Sequence, residues 1–129
     1  KSMVQAVLEG VAFAIRDSFE VARALGIEIP VSKLCGGGSK SPLWCRIMAN
    51  VLGIPLDIPV TEQGPGYGGA MLAMVTCGRF ATVQEAAKAL VKVKRTVEPE
   101  KELTSLYDAR YHQFSAIYPT CKNLFKELN

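Results

Sequence analysis

The residues with the clearest chemical potential form a glycine-rich turn. Gly36, Gly37 and Gly38 follow an apolar run, and Ser39 and Ser41 come directly after them, at the start of an amphipathic segment. Consecutive glycines give up side-chain packing and cost conformational entropy, and their usual purpose is to let another group approach the backbone closely. A helix N-terminus next to them would favour an anion. The pattern indicates a contact with nucleotide phosphate or adenosine; a strand-to-helix connection without a ligand is the alternative.

Two glycine-containing stretches of this chain resemble known phosphate-binding motifs. Residues 38–41 read Gly-Ser-Lys-Ser, but the lysine does not directly follow the last glycine and the upstream glycine spacing is absent, so we reject a Walker A loop. Residues 64–69 match G-x-G-x-x-G between a strand and a helix, as a dinucleotide site requires. The acid downstream, Glu85, lies in a helix-capping position instead of at a strand end. We therefore favour close packing of this helix against a neighbouring element or a bound ligand, through Gly68, Gly69, Ala70 and Ala73.

The sequence shows no group of residues typical of nucleophilic catalysis or of metal binding. The four cysteines lack C-x-x-C spacing and the chain has one histidine, which argues against a zinc site. His112 lies in a helical pattern, far in sequence from any activated serine or cysteine, and we expect it at the surface or in a structural role. We predict no catalytic and no metal-ligating residue within this chain. The cysteines are Cys35, Cys45, Cys77 and Cys121.

Composition predicts one globular unit. A chain of 129 residues with 49% hydrophobic residues can build one core, and is too short for two ordinary domains. The net charge of +3 is spread along the chain. The densest basic patch consists of Lys88, Lys92, Lys94 and Arg95. Apolar residues interrupt this patch and no nucleic-acid motif accompanies it, so we interpret it as a solvated face and expect no nucleic-acid partner.

The apolar segments point to a cytoplasmic protein. Each cysteine lies in or beside an apolar stretch, as reduced and buried thiols do. No apolar run is long enough to span a bilayer and no signal peptide is recognisable, so we expect no membrane partner. The chain opens at Lys1 directly into a helical pattern, which suggests a piece of a longer protein.

Helical and strand-like segments alternate along the chain. The polar residues of the first helix fall on one narrow stripe, so we expect this helix to be buried on its other sides, with the stripe facing solvent. Trp44 is expected as a core anchor. The expected elements are a helix over 2–25, a strand over 31–34, a helix over 42–52, a strand over 55–60, helices over 67–77 and 82–91, an edge strand or linker over 91–97, and a helix from 103 that Pro119 interrupts.

This order predicts an α/β fold in which the strands pair in parallel through right-handed crossovers. Only two strands are clear, and a two-stranded parallel sheet makes a poor core. We therefore expect further strands outside this chain.

Four segments resemble the C-terminal part of the FGGY carbohydrate kinases. They are Ala-Val-Leu-Glu-Gly-Val-Ala-Phe at 6–13, Gly-Gly-Gly-Ser-Lys-Ser-Pro-Leu-Trp at 36–44, Ala-Asn-Val-Leu-Gly-Ile-Pro at 49–55 and Gln-Gly-Pro-Gly-Tyr-Gly-Gly-Ala-Met-Leu-Ala at 63–73. The resemblance extends over essentially the whole chain. Its ending, with Tyr107, Tyr111, Tyr118-Pro119 and Leu124-Phe125, is most similar to the xylulokinases of that family.

The resemblance implies the C-terminal part of an actin-like, ribonuclease H-like ATPase domain, helix-rich with a small parallel sheet. Residues 1–129 would be a single partial domain, the latter half of the second of two domains. Such kinases transfer the γ-phosphate of ATP to a sugar hydroxyl with Mg²⁺ and a catalytic aspartate, which would lie upstream of this chain. The expected substrate is a ketose, D-xylulose, which would be converted to D-xylulose 5-phosphate. Another sugar or polyol (glycerol, gluconate or ribulose) and a structural role in domain or subunit packing are the alternatives.

For the site residues, the resemblance assigns the adenosine side of ATP to Gly36, Gly37, Gly38, Ser39 and Ser41. Many family members have an asparagine near Ser41 or Pro42 that contacts adenine. Its absence here suggests recognition by backbone and shape. The expected partners are ATP or ADP, a ketose bound by residues outside this chain, and a second copy of the protein in a homodimer or other self-association.

Overall fold

Five α-helices, one 3₁₀ helix and three strands make up the regular structure of residues 2–61 and 64–127, the part of the chain that the computed structural model describes. The expected alternation of helices and strands is present. In chain order the elements are α1 (Ser2–Ala24), β1 (Ser32–Lys33), the 3₁₀ helix (Gly37–Lys40), α2 (Pro42–Leu52), β2 (Leu56–Pro59), α3 (Gly64–Thr76), α4 (Val83–Leu90), β3 (Val93–Val97) and α5 (Lys101–Glu127).

The three strands form a mixed sheet in the order β1-β2-β3. β1 lies parallel to β2, with Ser32 beside Leu56, because the crossover through α2 returns the chain to the starting edge. β3 lies antiparallel to β2, with Val97 beside Leu56. Helices α3 and α4 connect β2 to β3 and pack against each other, and β3 begins beside the end of β2. The prediction of a parallel sheet is therefore wrong for the third strand, and the edge strand expected over 91–97 is confirmed.

Helix α2 is the centre of the hydrophobic core and contacts α1, α5, β2 and β3. It is joined there by Ala12 and Phe13 of α1 and by Tyr107 and Tyr111 of α5. The Phe13 ring lies 6.1 Å from each of these two tyrosine rings. The buried apolar residues of α2 are Cys45, Ile47, Met48, Ala49, Val51 and Leu52.

Both ends of α2 are fixed. As predicted, Ser41 caps the N-terminus, with its hydroxyl accepting from the N–H of Trp44 at 3.3 Å, and Gly53 ends the helix at φ 66°. Two arginines of α1 add to this at the C-terminus. Arg16 donates to the carbonyl of Val51 and Arg23 to that of Leu52, each at 3.0 Å. These bonds satisfy carbonyls that have no partner within the helix.

The orientation of α1 differs from the prediction. Its polar stripe was expected to face solvent, but Glu9, Arg16 and Arg23 face α2 and α5; Arg16 also forms ion pairs with Glu20 and Asp108. The apolar residues divide into two rows, because the helix packs on only one side within the described chain. One row packs on the core, and the other is exposed: Val4, Val7, Val11, Val21 and Leu25.

Helix α5 continues through Pro119, so the predicted break there is wrong. A proline in a helix interior removes one hydrogen bond and normally bends the helix. This part of α5 extends beyond the core, with Ile117 57% and Tyr118 63% exposed, and a small bend there disturbs no packing. Beside the proline, the Thr120 hydroxyl donates to the Ala116 carbonyl at 2.7 Å.

Helix α3 begins at Gly64, three residues earlier than predicted, and therefore contains the glycines of the G-x-G-x-x-G match. A dinucleotide fingerprint needs its first glycine in a tight turn before the helix, so this geometry does not fit one. Within the described residues, an added Cβ at Gly66, Gly68 or Gly69 would have no atom within 4 Å. The close packing predicted for Gly68 and Gly69 is thus absent within the described residues. Of the glycines in α3, only Gly64 lies close to another side chain of that part of the chain, that of Cys35.

Candidate functional site

The glycine turn joins β1 to α2 and is held by its own hydrogen bonds. Gly36 has φ 81°, a conformation that a residue with a side chain rarely adopts. Its carbonyl accepts from the Ser39 N–H at 3.1 Å and from the Ser39 hydroxyl at 2.7 Å. The Gly38 carbonyl accepts from the Ser41 N–H at 3.0 Å. These bonds close the turn into the short 3₁₀ helix that precedes α2.

The two serines predicted to contact adenosine also serve the turn. Ser39 is buried, at 7% exposure, and its hydroxyl donates to Gly36. The Ser41 hydroxyl caps α2. These side chains hold the backbone in place, so a ligand at this turn would contact the glycine backbone more readily than the hydroxyl of Ser39.

The three glycines differ in what surrounds them. A Cβ at Gly38 would lie 2.9 Å from both Cδ1 and Nε1 of Trp44, which real side chains do not tolerate. A Cβ at Gly37 would have no atom within 4 Å, and its φ is not in the left-handed region. Gly36 is required by its conformation and Gly38 by the indole of Trp44. Gly37, which is exposed, is required by neither reason in the described chain.

The N-terminus of α2 is less open to an anion than the sequence suggested. Pro42 has no N–H, the N–H of Trp44 is used by Ser41, and the N–H of Cys45 bonds the Ser41 carbonyl at 3.0 Å. None of these three positions therefore offers a free N–H to a ligand, and the glycine backbone is the main accessible surface.

A cleft of about 330 Å³ adjoins the turn at the edge where β2 ends and β3 begins. Its cationic residues are Lys40, Lys94 and Arg95, and no carboxylate is among its lining residues. Arg95 reaches under the turn, with Nη2 3.7 Å from the Sγ of Cys45, and this thiol donates to the Ser39 carbonyl at 3.3 Å. The surroundings of the turn are thus positively charged. From the sequence, Lys94 and Arg95 were assigned to a solvated basic face and not to the turn; the pairing of β3 with β2 brings them to this cleft.

Other candidates from the sequence lie away from the turn or are exposed. His112 is exposed on α5, as expected. The four residues of the basic patch are exposed too, which agrees with a solvated face. The cysteines are free, but the prediction that all are buried is wrong, because Cys35 and Cys77 are exposed.

Two of the groups with shifted pKa values are tyrosines at the contact between α5 and α1. Burial raises the pKa of Tyr107, and Glu9, which accepts from its hydroxyl at 3.1 Å, raises it further. Burial also raises the pKa of Tyr111, with a further contribution from its 2.6 Å hydrogen bond to Asp17. Shifted pKa values often mark functional sites. Here they mark the packing of α5 on α1.

Residues 2–61 and 64–127, which the structure describes, contain neither a candidate metal cluster nor a candidate membrane span. In that part of the chain, no three His, Cys, Asp or Glu side chains are grouped so that they could hold a metal ion. No helix there has both the length and the apolar character of a membrane span.

The fold and the turn can now be compared with known proteins. The model of the FGGY family of carbohydrate kinases, C-terminal domain, matches residues 1–77, which is more than half of the chain. This chain belongs to the FGGY family of carbohydrate kinases. Its fold is the one that the FGGY sugar kinases share, that of the actin-like ATPases.

Among FGGY relatives, the xylulose kinase of Staphylococcus epidermidis is 33% identical over 124 residues, which are 96% of this chain and 25% of that kinase. The autoinducer-2 kinase of Escherichia coli is 39% identical over 83 residues, 64% of this chain and 16% of that kinase. A crystal structure of a xyloylose kinase from Brucella ovis has a TM-score of 0.81 and 36% identity, and the match covers 95% of this chain and 25% of that one. The chain spans about a quarter of the length of the xylulose kinase that it matches.

Proposed function

We propose that this chain is part of an ATP-dependent carbohydrate kinase and that its glycine turn holds the adenosine end of ATP. Residues 1–129 would then be a partial domain, the latter half of the C-terminal domain. Family membership supports kinase chemistry, and the matched segment includes the turn. The cationic cleft beside the turn suits a ligand that carries phosphates.

The observation that carries this proposal is the open backbone of Gly37. Gly36 and Gly38 have reasons within the chain to lack side chains, and Gly37 has none. A glycine that costs conformational entropy without an internal reason is explained if a ligand lies directly on its backbone. A flat adenosine could approach this surface closely, whereas a side chain would hold it away.

The contribution of this chain to the chemistry is positioning. Phosphoryl transfer depends mainly on holding the phosphates in line and on neutralising their charge. Mg²⁺ supplies that neutralisation when it is bound, but the described residues offer no cluster of ligands that fits it. We therefore assign the metal, the catalytic aspartate and the sugar contacts to residues outside 1–129, and the orientation of the nucleoside to the turn.

For the sugar, we propose a ketose, with D-xylulose converted to D-xylulose 5-phosphate. The relative that aligns over nearly the whole chain is a xylulose kinase, while another relative is an autoinducer-2 kinase. A panel of D-xylulose, D-ribulose, gluconate and glycerol, assayed with the complete kinase, tests this choice. D-xylulose should have the highest kcat/KM, and a higher value for any other member would contradict it. A cytoplasmic location stays a prediction.

Gly37→Val tests the turn. An added Cβ at this position has no atom of the described chain within 4 Å, so the fold should tolerate the change, but the side chain would occupy the surface on which adenosine is proposed to lie. In the complete kinase, the KM for ATP should rise at least about tenfold, equivalent to about 1.4 kcal/mol of lost binding. The KM for the sugar should change far less.

Ala109→Val is the control, because it adds apolar volume at an exposed position on α5. Its two KM values should equal those of the parent enzyme. An unchanged KM for ATP in Gly37→Val would show that the turn does not hold the nucleotide. Equal rises of both KM values would point to a general disturbance and would equally contradict the proposal.

The exposed row on α1 supports a second candidate function, a packing surface for another domain or a second copy. Val4 and Val7 are each 66% exposed, Val21 is 63% exposed and Leu25 is 74% exposed. Contiguous apolar surface of this kind usually marks an interaction site. Sedimentation of the chain at several concentrations tests self-association, and Val7→Glu should weaken it. A monomer at every concentration would contradict packing against a second copy.

A further inference from the structure

The indole of Trp44 stands beside the proposed nucleotide surface. We propose that it forms one wall of the nucleoside site and that its Nε1–H donates a hydrogen bond to the adenosine part of the nucleotide. This inference rests on the proposed function of the turn, and it extends that site from the backbone of Gly37 to a side chain of α2.

The backbone of Trp44 is fixed next to the turn. It is the third residue of α2, and its N–H bonds the hydroxyl of Ser41 at 3.3 Å. Its ring packs against the buried core cluster while remaining only half-buried. The predicted role as a core anchor is therefore correct for one side of the ring, and the other side is left at the surface.

The polar edge of the indole is the edge that faces the turn. The atoms nearest to an added Cβ at Gly38 are Cδ1 and Nε1, both at 2.9 Å, while Cγ is at 3.8 Å. Gly38 thus leaves room for the pyrrole edge of the ring, immediately beside the open Gly37. An edge that carries a donor suits hydrogen bonding to a ligand more than stacking of the ring face.

The donor of this edge is unused within the described chain, where no acceptor lies within hydrogen-bond distance and angle of Nε1–H. A buried indole N–H usually has a hydrogen-bond partner, and a nucleoside that lies on Gly37 would bury this edge. An adenine nitrogen or a ribose oxygen of a nucleoside on Gly37 would be such an acceptor. Phosphate oxygens are less suitable acceptors for Nε1–H. We expect the phosphates to lie in the cationic cleft beside the turn, which Lys94 and Arg95 line.

Trp44 is the only tryptophan of the chain, so its single indole N–H signal can be followed by NMR without assignment of the others. This chain is ¹⁵N-labelled as a segment of the complete kinase, in which all variants are also made, and that kinase is titrated with adenosine, ADP and inorganic pyrophosphate. Adenosine and ADP should shift the indole signal saturably, and pyrophosphate should leave it in place. Trp44→Phe keeps an aromatic ring over Gly38 and loses the donor. Calorimetric titration should find its affinity for ADP about fivefold weaker, the size expected for one hydrogen bond.

Two further variants separate the possible results. Tyr118→Phe, at an exposed and remote position, should bind ADP as the parent does. Two results would contradict the role of Trp44 and leave the function of the turn in place. In the first, Gly37→Val abolishes ADP binding but ADP does not move the indole signal of the parent. In the second, Trp44→Phe binds ADP as tightly as the parent. If ADP does not bind, or binds Gly37→Val unchanged, the function of the turn fails and the role of Trp44 fails with it.

Discussion

Asn50 links the core of α2 to the start of α5, and its replacement by leucine should destabilise the fold. The residue is 1% exposed. Its side-chain carbonyl accepts from the N–H of Glu100 at 2.6 Å, and its amide nitrogen donates to the carbonyl of Arg46 at 2.9 Å. Glu100 directly precedes α5, so Asn50 supplies a capping acceptor for that helix from 50 positions away. The amide nitrogen also donates to the Glu100 carboxylate, at 3.4 Å. Asn50→Leu keeps a similar volume and removes all three bonds.

The expected loss can be worked out bond by bond. The Arg46 carbonyl lies inside α2 and keeps its helical partner, and the Glu100 carboxylate keeps its bond from Arg46 at 2.7 Å, so the loss of the Asn50 amide costs little at either acceptor. The N–H of Glu100 loses its acceptor next to a buried side chain, and an unsatisfied group of this kind costs about 1–3 kcal/mol. Loss of a helix cap falls in the same range. We therefore expect Asn50→Leu to lower the free energy of unfolding by about 2 kcal/mol and Tm by roughly 8 °C for a domain of this size.

Urea and thermal unfolding followed by circular dichroism measure the loss. Gln113→Leu is the matched control, because it removes an exposed amide from α5 and should change stability by less than about 0.5 kcal/mol. Equal stability of Asn50→Leu and Gln113→Leu would refute the capping role. Asn50→Asp adds a check of sign, since its carboxylate would face Glu100. Burial and this like charge raise its folded-state pKa, so its stability deficit should shrink as the pH falls from 7 to 5.

Three further changes test other contacts. Gly38→Ala places a methyl group 2.9 Å from the Trp44 indole and should cost about 1–3 kcal/mol of unfolding free energy in urea; parent-like stability with an unchanged emission spectrum would contradict the contact. In Tyr111, burial and then the bond to Asp17 raise the pKa above 10.0, so the unfolded state ionises first and stability falls as the pH rises above about 10. Tyr111→Phe should flatten the fall between pH 9 and 11, and equal slopes would count against this. Arg16→Met removes a side chain only 12% exposed that bonds the C-terminus of α2 and an acid of α5. Since that acid is 48% exposed and can turn to water, we expect a loss of about 2 kcal/mol by thermal unfolding, and a loss below about 0.5 kcal/mol would refute the role.

The helices with chemical signals at their ends were the most predictable part of the fold. Ser41, Pro42 and Gly53 gave the bounds of α2, because capping, a proline at the first position and a left-handed glycine act within a few residues. Thr82 likewise caps α4 and accepts from the N–H of Glu85 at 3.2 Å. Local chemistry of this kind does not depend on what packs against the helix.

Features set by tertiary packing were the ones that the sequence reasoning missed. The apolar pattern of α1 does not say which row faces the core, and the polar stripe turned inward because Arg16 and Arg23 find carbonyls at the end of α2. Pro119 is tolerated in α5 because its surroundings are exposed. The bond from Glu100 to Asn50 has no sequence signal, since it depends on how α5 returns to α2.

At the candidate site, the surroundings of each glycine are more informative about ligand binding than the three-glycine motif as a whole. As a sequence, three consecutive glycines suggest one shared purpose, the close approach of a ligand. In the structure, Gly36 is explained by its backbone conformation and Gly38 by the indole of Trp44, so neither requires a ligand. The argument for nucleotide binding therefore rests on Gly37 and on the unused donor of Trp44. A substitution at Gly36 or Gly38 that impairs a kinase would be explained by the fold alone, and only a change at Gly37 or Trp44 can separate binding from folding.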